Sequence, residues 1–280
     1  MYLIKEWDRA TLTHYKYAIK DQFERQRLAN PWNNKMFDNI NSGHSFLMEK
    51  YRIEDGKPVS KNGASRMYES GVECLLQAAI RDETEVLEQT NPRAGSAEGK
   101  SFLNRMHVLT GIIFILRASS CRFSPEDINF LPNGNLILTI TFFKRTKNNK
   151  DVATPVDKQL PPGDSTDHPR SIYIRLMRTV VQLGGFKQLP VKNPGGVLTK
   201  MFKTAMGDLL PMFFEKGRQP SSHSMRKTGA SAIYKVLGSH VTTDLVDWGE
   251  WGSPLPVKRY VDKHYKISIF SRRLFDWFRG

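Results

Sequence analysis

Four residues toward the C-terminal end have types and spacing suited to phosphate chemistry. His223 and Arg226 form an H-x-x-R, Trp251 follows, and Tyr260 lies nine residues beyond the tryptophan. Attack on a phosphodiester by a side-chain hydroxyl needs cations over the equatorial oxygens, an aligned nucleophile and an acid for the departing oxygen. Arginine suits the first role because its planar fork grips two oxygens and keeps its charge. Arg117 and Arg226 are the candidates, from opposite ends of the expected second domain. His223 lies one helical turn before Arg226, which predicts that both project to one side of a helix. Ser221 or Ser222 is placed to cap that helix, whose N-terminal amides would also favour phosphate. Singly, each residue has an ordinary reading as packing or solvated charge. The weight lies in their order along one chain.

Stepping outward, a scaffold must join an upstream arginine to this C-terminal set. Phe102 to Leu116 is apolar nearly all round, which predicts a central helix delivering Arg117 at its end. Ser124-Pro125-Glu126 reads as a turn or helix start. Leu136 to Phe143 (LILTITFF) alternates β-branched and apolar residues after a Pro-Asn-Gly-Asn turn, the mark of a strand. Lys144 to Asp151 (KRTKNNKD) is then a basic turn, with Val152 to Val156 returning as the second strand of a hairpin. Helices are expected over Ile172–Leu183, over Val197–Phe214 with a break near Pro211, from His223 to about Leu237, and near Thr243–Trp248. Gly252-Ser253-Pro254 and Pro256 make a loop ahead of Tyr260. The tail from Ile267 to Phe278 is amphipathic, suited either to folding back on its own core or to docking on a neighbouring protomer.

The first third also reads as helical. Leu12, Tyr15, Ile19 and Phe23 form an apolar stripe over Thr11–Leu28, ended by Asn30-Pro31, and Lys16, Lys20, Arg25 and Arg27 make its other face basic. Phe46 to Tyr51 is short and apolar, Gly56-Lys57-Pro58 marks a turn, and Ser65–Leu87 is a second helix. Thr90 to Lys100 mixes Pro, Gly, Ser and charge without a hydrophobic period, which marks a linker. The expectation is a fold that is mainly α with a small antiparallel β-sheet (α+β), as a helical domain over 1–95 and a second over 96–280.

Composition narrows the partners. Apolar residues make up 39% of the 280, with five Trp and 16 Phe, ample for a buried core. Forty-two Lys and Arg against 28 Asp and Glu leave +14, the balance expected of a phosphate-backbone binder and equally that of a ribosomal-type or simply soluble basic protein. Cys74 and Cys121 lack metal-ligand spacing, so neither a disulfide framework nor a zinc module is indicated, and no metal or other cofactor is expected. No apolar run reaches the roughly 18 to 20 residues of a membrane span. Lys5, Glu6, Asp8 and Arg9 interrupt any signal-peptide core, so a reducing, DNA-accessible compartment is expected.

Four segments, in order, carry a resemblance: GIIFILRASSC, LTITFFKRTKNNK, HSMRKTGAS and GEWGSPLPVKRY. Over about residues 100 to 265 the chain resembles the tyrosine recombinases of the phage-integrase type, which share chemistry with type IB topoisomerases. The resemblance implies a helical N-terminal domain that clamps DNA and a catalytic domain bearing a C-terminal tail helix. It implies Tyr260 as the nucleophile forming a 3′-phosphotyrosyl link, with Arg117 and Arg226 clamping the scissile phosphate and His223 assisting by proton transfer or a hydrogen bond. Trp251 would donate its indole N–H from a position where other members carry His, and Lys147 in the hairpin turn would protonate the leaving 5′ oxygen. Where the family carries an acidic residue three positions after the first arginine, this chain has Ser120, so Arg122 competes for that role. Arg117 is preferred because ten residues to Asp127 leave room for the helix before the first strand, and Arg122 leaves five. Lys144 is the alternative to Lys147.

DNA contacts are expected from Lys16, Lys20, Arg25, Lys144, Arg145, Lys150 and Arg218. The resemblance further implies double-stranded DNA as partner, a dimer per site and a tetramer on DNA, and integration or excision of an element without metal or ATP. The wording HSMRKTGAS points to the branch encoded by eukaryotic mobile elements, which would place the protein in the nucleus; otherwise it would sit in the cytoplasm with the nucleoid. Two alternatives stand beside this: a type IB topoisomerase-like relaxing enzyme, though VKRY is not that family's S-K-x-x-Y, and a catalytically silent DNA-binding relative.

Overall fold

In the computed structural model the chain divides into two compact units, Met1–Gly63 and Ala64–Gly280. The residues described are 22, 25, 26, 67, 70–89, 94–145, 151–186, 188–190, 192–207, 214, 220–238, 242–251, 257, 261 and 267–279. In the first unit Gln22 and Arg25 are helical and exposed. The remainder of the basic helix expected over Thr11–Leu28, and the turns after it, lie outside the described residues.

The second unit is mainly helical around a small sheet. Helix α1 (Gly71–Leu87) buries Val72, Leu75, Leu76, Ala79 and Val86, a spacing of three and four that puts them on one face. That face meets α2 (Ala97–Ile113), on which Phe102, Leu103, Met106, Val108, Leu109, Ile112 and Ile113 are all buried, as the apolar run predicts. The helix starts five residues earlier than expected, because the Ser96 hydroxyl accepts from the Gly99 N–H at 3.0 Å and caps it. Part of the stretch read as linker is therefore helical, and α1, which precedes it, packs with α2 inside one unit. Arg105 on α2 binds the Ala78 carbonyl and the Asp82 carboxylate of α1.

Two short 3-10 turns, Ala118–Ser120 and Pro125–Asp127, lead into an antiparallel sheet ordered β1 (Ile128–Phe130), β2 (Leu136–Arg145), β3 (Asp151–Leu160). On β2, alternate residues Leu136, Leu138 and Ile140 point into the core. Both hairpin strands outrun the sequence reading. Lys144 and Arg145 are on β2, opposite Val152 and Asp151, rather than in the turn. Strand β3 continues past Pro155 to Leu160, which is possible because β3 is an edge strand, where a missing N–H leaves no ladder bond unmade.

Among the described residues four further helices and a tail follow: α3 (Pro169–Gln182), α4 (Pro194–Met206), α5 (Ser222–Leu237), α6 (Thr242–Trp248) and α7 (Ile269–Phe275). Helix α4 ends at Met206, where Gly207 takes a left-handed φ of 51°; the break expected near Pro211 lies outside the described residues. The tail folds onto its own unit: Leu274 and Phe275 are buried, and α7 packs against α3 and α5. Arg170 fastens it there, donating to the carbonyls of Pro161, Pro162 and Arg273 and pairing with Asp276. No described helix is long and apolar enough to cross a membrane.

Candidate active site

The site begins with two helix ends built alike. At the end of α2, Ile115 N–H donates to Ile112 O and Leu116 N–H to Gly111 O. At the end of α6, Glu250 N–H donates to Asp247 O and Trp251 N–H to Val246 O. Both are Schellman closures, in which one residue turns left-handed so that the next can bond back five positions. That residue is Ile115 (φ 53°) in one and Glu250 (φ 50°) in the other. Each closure swings the following chain out of its helix, and the first thing carried out is Leu116-Arg117 in one case and Trp251 in the other.

Arg226 joins these two ends. Its guanidinium donates to Ile115 O at 3.1 Å and to Gly249 O, so one cation serves the C-terminal carbonyls of two helices, where their dipoles are negative. It can reach both because α5 crosses close to α2 where each helix has a glycine. A Cβ on Gly229 would stand 2.0 Å from Ile112 O, and one on Gly111 would stand 2.8 Å from Met225 Sδ. The Trp251 ring closes over the arginine, its centre 3.9 Å from Cζ, a cation–π contact in a buried setting. Gly249 has no Cβ to obstruct that ring; one there would lie 2.0 Å from it.

A second buried cation supports the same turn. Lys158 on β3 is 3% exposed, its Nζ donates to the Trp248 carbonyl, lies 4.4 Å from the centre of the Trp248 ring and 4.0 Å from a Glu250 carboxylate oxygen. Burial pushes its pKa down to about 8; Arg226 adds to the fall, and Glu250 and Asp247 resist it. Trp248 is itself tied to α2, its indole N–H donating to Ile113 O at 3.3 Å.

Arg117 and His223 form the outer layer. Arg117 is exposed, and its carbonyl accepts from the N–H of Ser120 and of Cys121 to form the 3-10 turn. His223 lies in the first turn of α5, which is held by Ser221 N–H donating to Ser224 Oγ at 2.9 Å and Ser222 N–H donating to Thr199 Oγ1 of α4 at 3.0 Å. Partial burial, then the charges of Arg226 and Arg117, hold the His223 ring below the usual imidazole pKa. All three side chains therefore act in one electrostatic field.

No protein-family model matches the chain, and no curated protein does. Three solved structures are similar to it. A XerH site-specific recombinase bound to difH substrate, in a pre-cleavage complex, aligns over 92% of this chain and 69% of its own at 13% identity and a TM-score of 0.43. A Tn1549 transposon integrase in complex with circular intermediate DNA aligns over 99% and 82% at 12% identity and a TM-score of 0.45. A lambda integrase dimer bound to a COC′ core site aligns over 95% and 94% at 15% identity and a TM-score of 0.41. At such identities and scores these likenesses lend no weight to the role of any single residue, so roles rest on the geometry above.

Of the residues singled out by sequence, Arg117, His223, Arg226 and Trp251 come together from three separate parts of the chain. His223 and Arg226 are one turn apart, yet His223 is exposed and Arg226 is 0% exposed, held against two main-chain carbonyls. Arg122 is half-buried. Lys144 and Arg145 lie on β2, and Arg25 is exposed on the first unit. Tyr260, Lys147, Lys150, Lys16, Lys20 and Arg218 lie outside the described residues. Sequence reading missed Lys158, Trp248 and Glu250. One signal for Lys158 was present: Val156, Lys158 and Leu160 alternate, which puts a lysine at an inward position of a strand. The layered cations offer an anionic oxygen two exposed donors, Arg117 and His223, with positive charge fixed beneath them.

Proposed function

We propose that the chain is a DNA strand transferase of the tyrosine-recombinase kind, acting on specific sites to integrate or excise a DNA element. The observation that supports it best is the convergence of Arg117, His223, Arg226 and Trp251, separated in sequence by up to 134 positions (251 − 117), around one cationic surface. On this reading Arg117 and His223 meet the scissile phosphate directly, while Arg226 contributes charge from beneath Trp251 and fixes both helix ends. The charge of Arg117 reaches His223, which supports Arg117 as the first arginine.

The Tyr260 oxygen attacks phosphorus as its proton passes to His223, a phosphotyrosyl bond forms to the 3′ side, and the bond to the 5′ oxygen breaks. Lys147 gives that oxygen its proton. The phosphodiester is exchanged for another ester of similar energy, so the reverse step rejoins DNA without an external energy source. The N-terminal helical domain clamps the duplex with Lys16, Lys20 and Arg25, and two chains per site assemble as a tetramer, in the nucleus or nucleoid where the DNA lies.

The test is adduct trapping. Wild-type protein is incubated with a pool of nicked duplexes carrying a randomised core, and covalent protein–DNA species are read on a denaturing gel. Wild type forms the adduct, and Tyr260→Phe forms none while binding the same DNA with unchanged affinity. An adduct in Tyr260→Phe would show a different nucleophile, and no adduct in wild type would leave DNA binding as the protein's activity.

A further inference from the structure

We propose that Lys158 is a positioning residue for strand transfer: held under the α6 closure, it fixes the turn Gly249-Glu250-Trp251 so that Trp251 lies over Arg226. The inference rests on the strand-transferase reading and adds a residue outside the set Arg117, Lys147, His223, Arg226, Trp251 and Tyr260.

Three contacts carry it. Lys158 Nζ donates to the carbonyl of Trp248, the last residue of α6, and so satisfies one acceptor that a helix C-terminus leaves open. It sits 4.0 Å from the carboxylate of Glu250, the residue forced left-handed in the closure. It also lies against the face of the Trp248 ring, whose N–H holds the end of α2. These three contacts all fall on the segment that sets where Trp251 goes.

A buried ammonium is a costly way to stabilise a fold, because its desolvation offsets what its contacts return. A methionine of similar length would fill the same space without that cost. Lys158 faces the core from β3 opposite Leu138 and is 3% exposed, so it does not meet DNA itself. Its contribution passes through the turn.

The experiment is a double-mutant cycle on adduct formation at saturating DNA, using wild type, Lys158→Met, Trp251→Phe and the double variant. Lys158→Met is expected to slow adduct formation about tenfold to a hundredfold, the scale of a small misplacement of reacting groups, with DNA affinity unchanged. In the double variant the rate is expected to match Trp251→Phe alone, because both act through one placement. Rates are corrected for the folded fraction read from thermal melting. Should Lys158→Met fail to fold, the cycle is run with Glu250→Gln in its place, with the same non-additivity expected. A wild-type rate in Lys158→Met, a loss explained by the folded fraction, or factors that multiply in the double variant would each overturn the proposal while leaving the strand-transferase reading intact. No adduct from wild type would overturn both.

Discussion

Ile115 and Glu250 hold left-handed backbone at positions where glycine is the usual choice, and α3 shows the ordinary solution with Gly184 at φ 89°. Such a conformation costs a side-chain-bearing residue on the order of 1–3 kcal/mol, and such strain clusters at functional sites. The cost at Glu250 can be isolated. Glu250→Ala and Glu250→Gly both remove the carboxylate near Lys158, but only glycine relieves the backbone, so Glu250→Gly should be the more stable of the two by about 1 kcal/mol in urea denaturation. Lys158 makes a second residue-scale expectation. Its folded pKa is depressed to about 8, below the ~10.4 of an unfolded lysine, so between those values the unfolded chain holds the extra proton. Stability should therefore rise with pH through that window, by the linkage between protons and folding. Urea midpoints measured from neutral pH to about pH 10 should show a rise in wild type that Lys158→Met lacks.

Among elements, the crossing of α2 and α5 governs the site. Gly229→Ala would drive a methyl against Ile112 O, so the helices must part, at a cost of about 1–3 kcal/mol. For a unit of this size that is a fall of about 2–4 °C in Tm per kcal/mol, measured by calorimetry, accompanied by loss of adduct formation as Arg226 leaves Ile115 O. The same crossing explains what the sequence could show. The burial of α2 was legible because LTGIIFIL is apolar on every side, and the hairpin because LILTITFF alternates. The closures were not, since Ile and Glu are poor markers of a left-handed turn and tertiary contacts overrule local preference. Nor was the reach of β3, because Pro155 and the polar Asp157-Lys158-Gln159 read as the end of a strand until its edge position is known. His223 and Arg226 were legible as a pair, but their division into an exposed and a buried member follows from Gly229 and Trp251.

At the scale of the whole molecule, the net charge of +14 should make DNA binding electrostatic in origin. Raising salt from about 50 to 200 mM should weaken binding about a thousandfold or more, provided at least six phosphates are contacted, and fluorescence anisotropy on a labelled duplex would show it. Affinity that does not change over that range would remove phosphate contacts as its source.

The bond from Arg226 to Ile115 spans 111 positions and the one to Gly249 another 23. A ribosome delivers the chain from its N-terminus, so the Ile115 carbonyl emerges long before the cation that grips it, and Trp251 emerges last of the three. A nascent chain therefore carries basic segments before this cationic cluster can assemble, and on the proposed reading DNA cutting must wait until Trp251 has emerged and α5 and α6 have packed against α2.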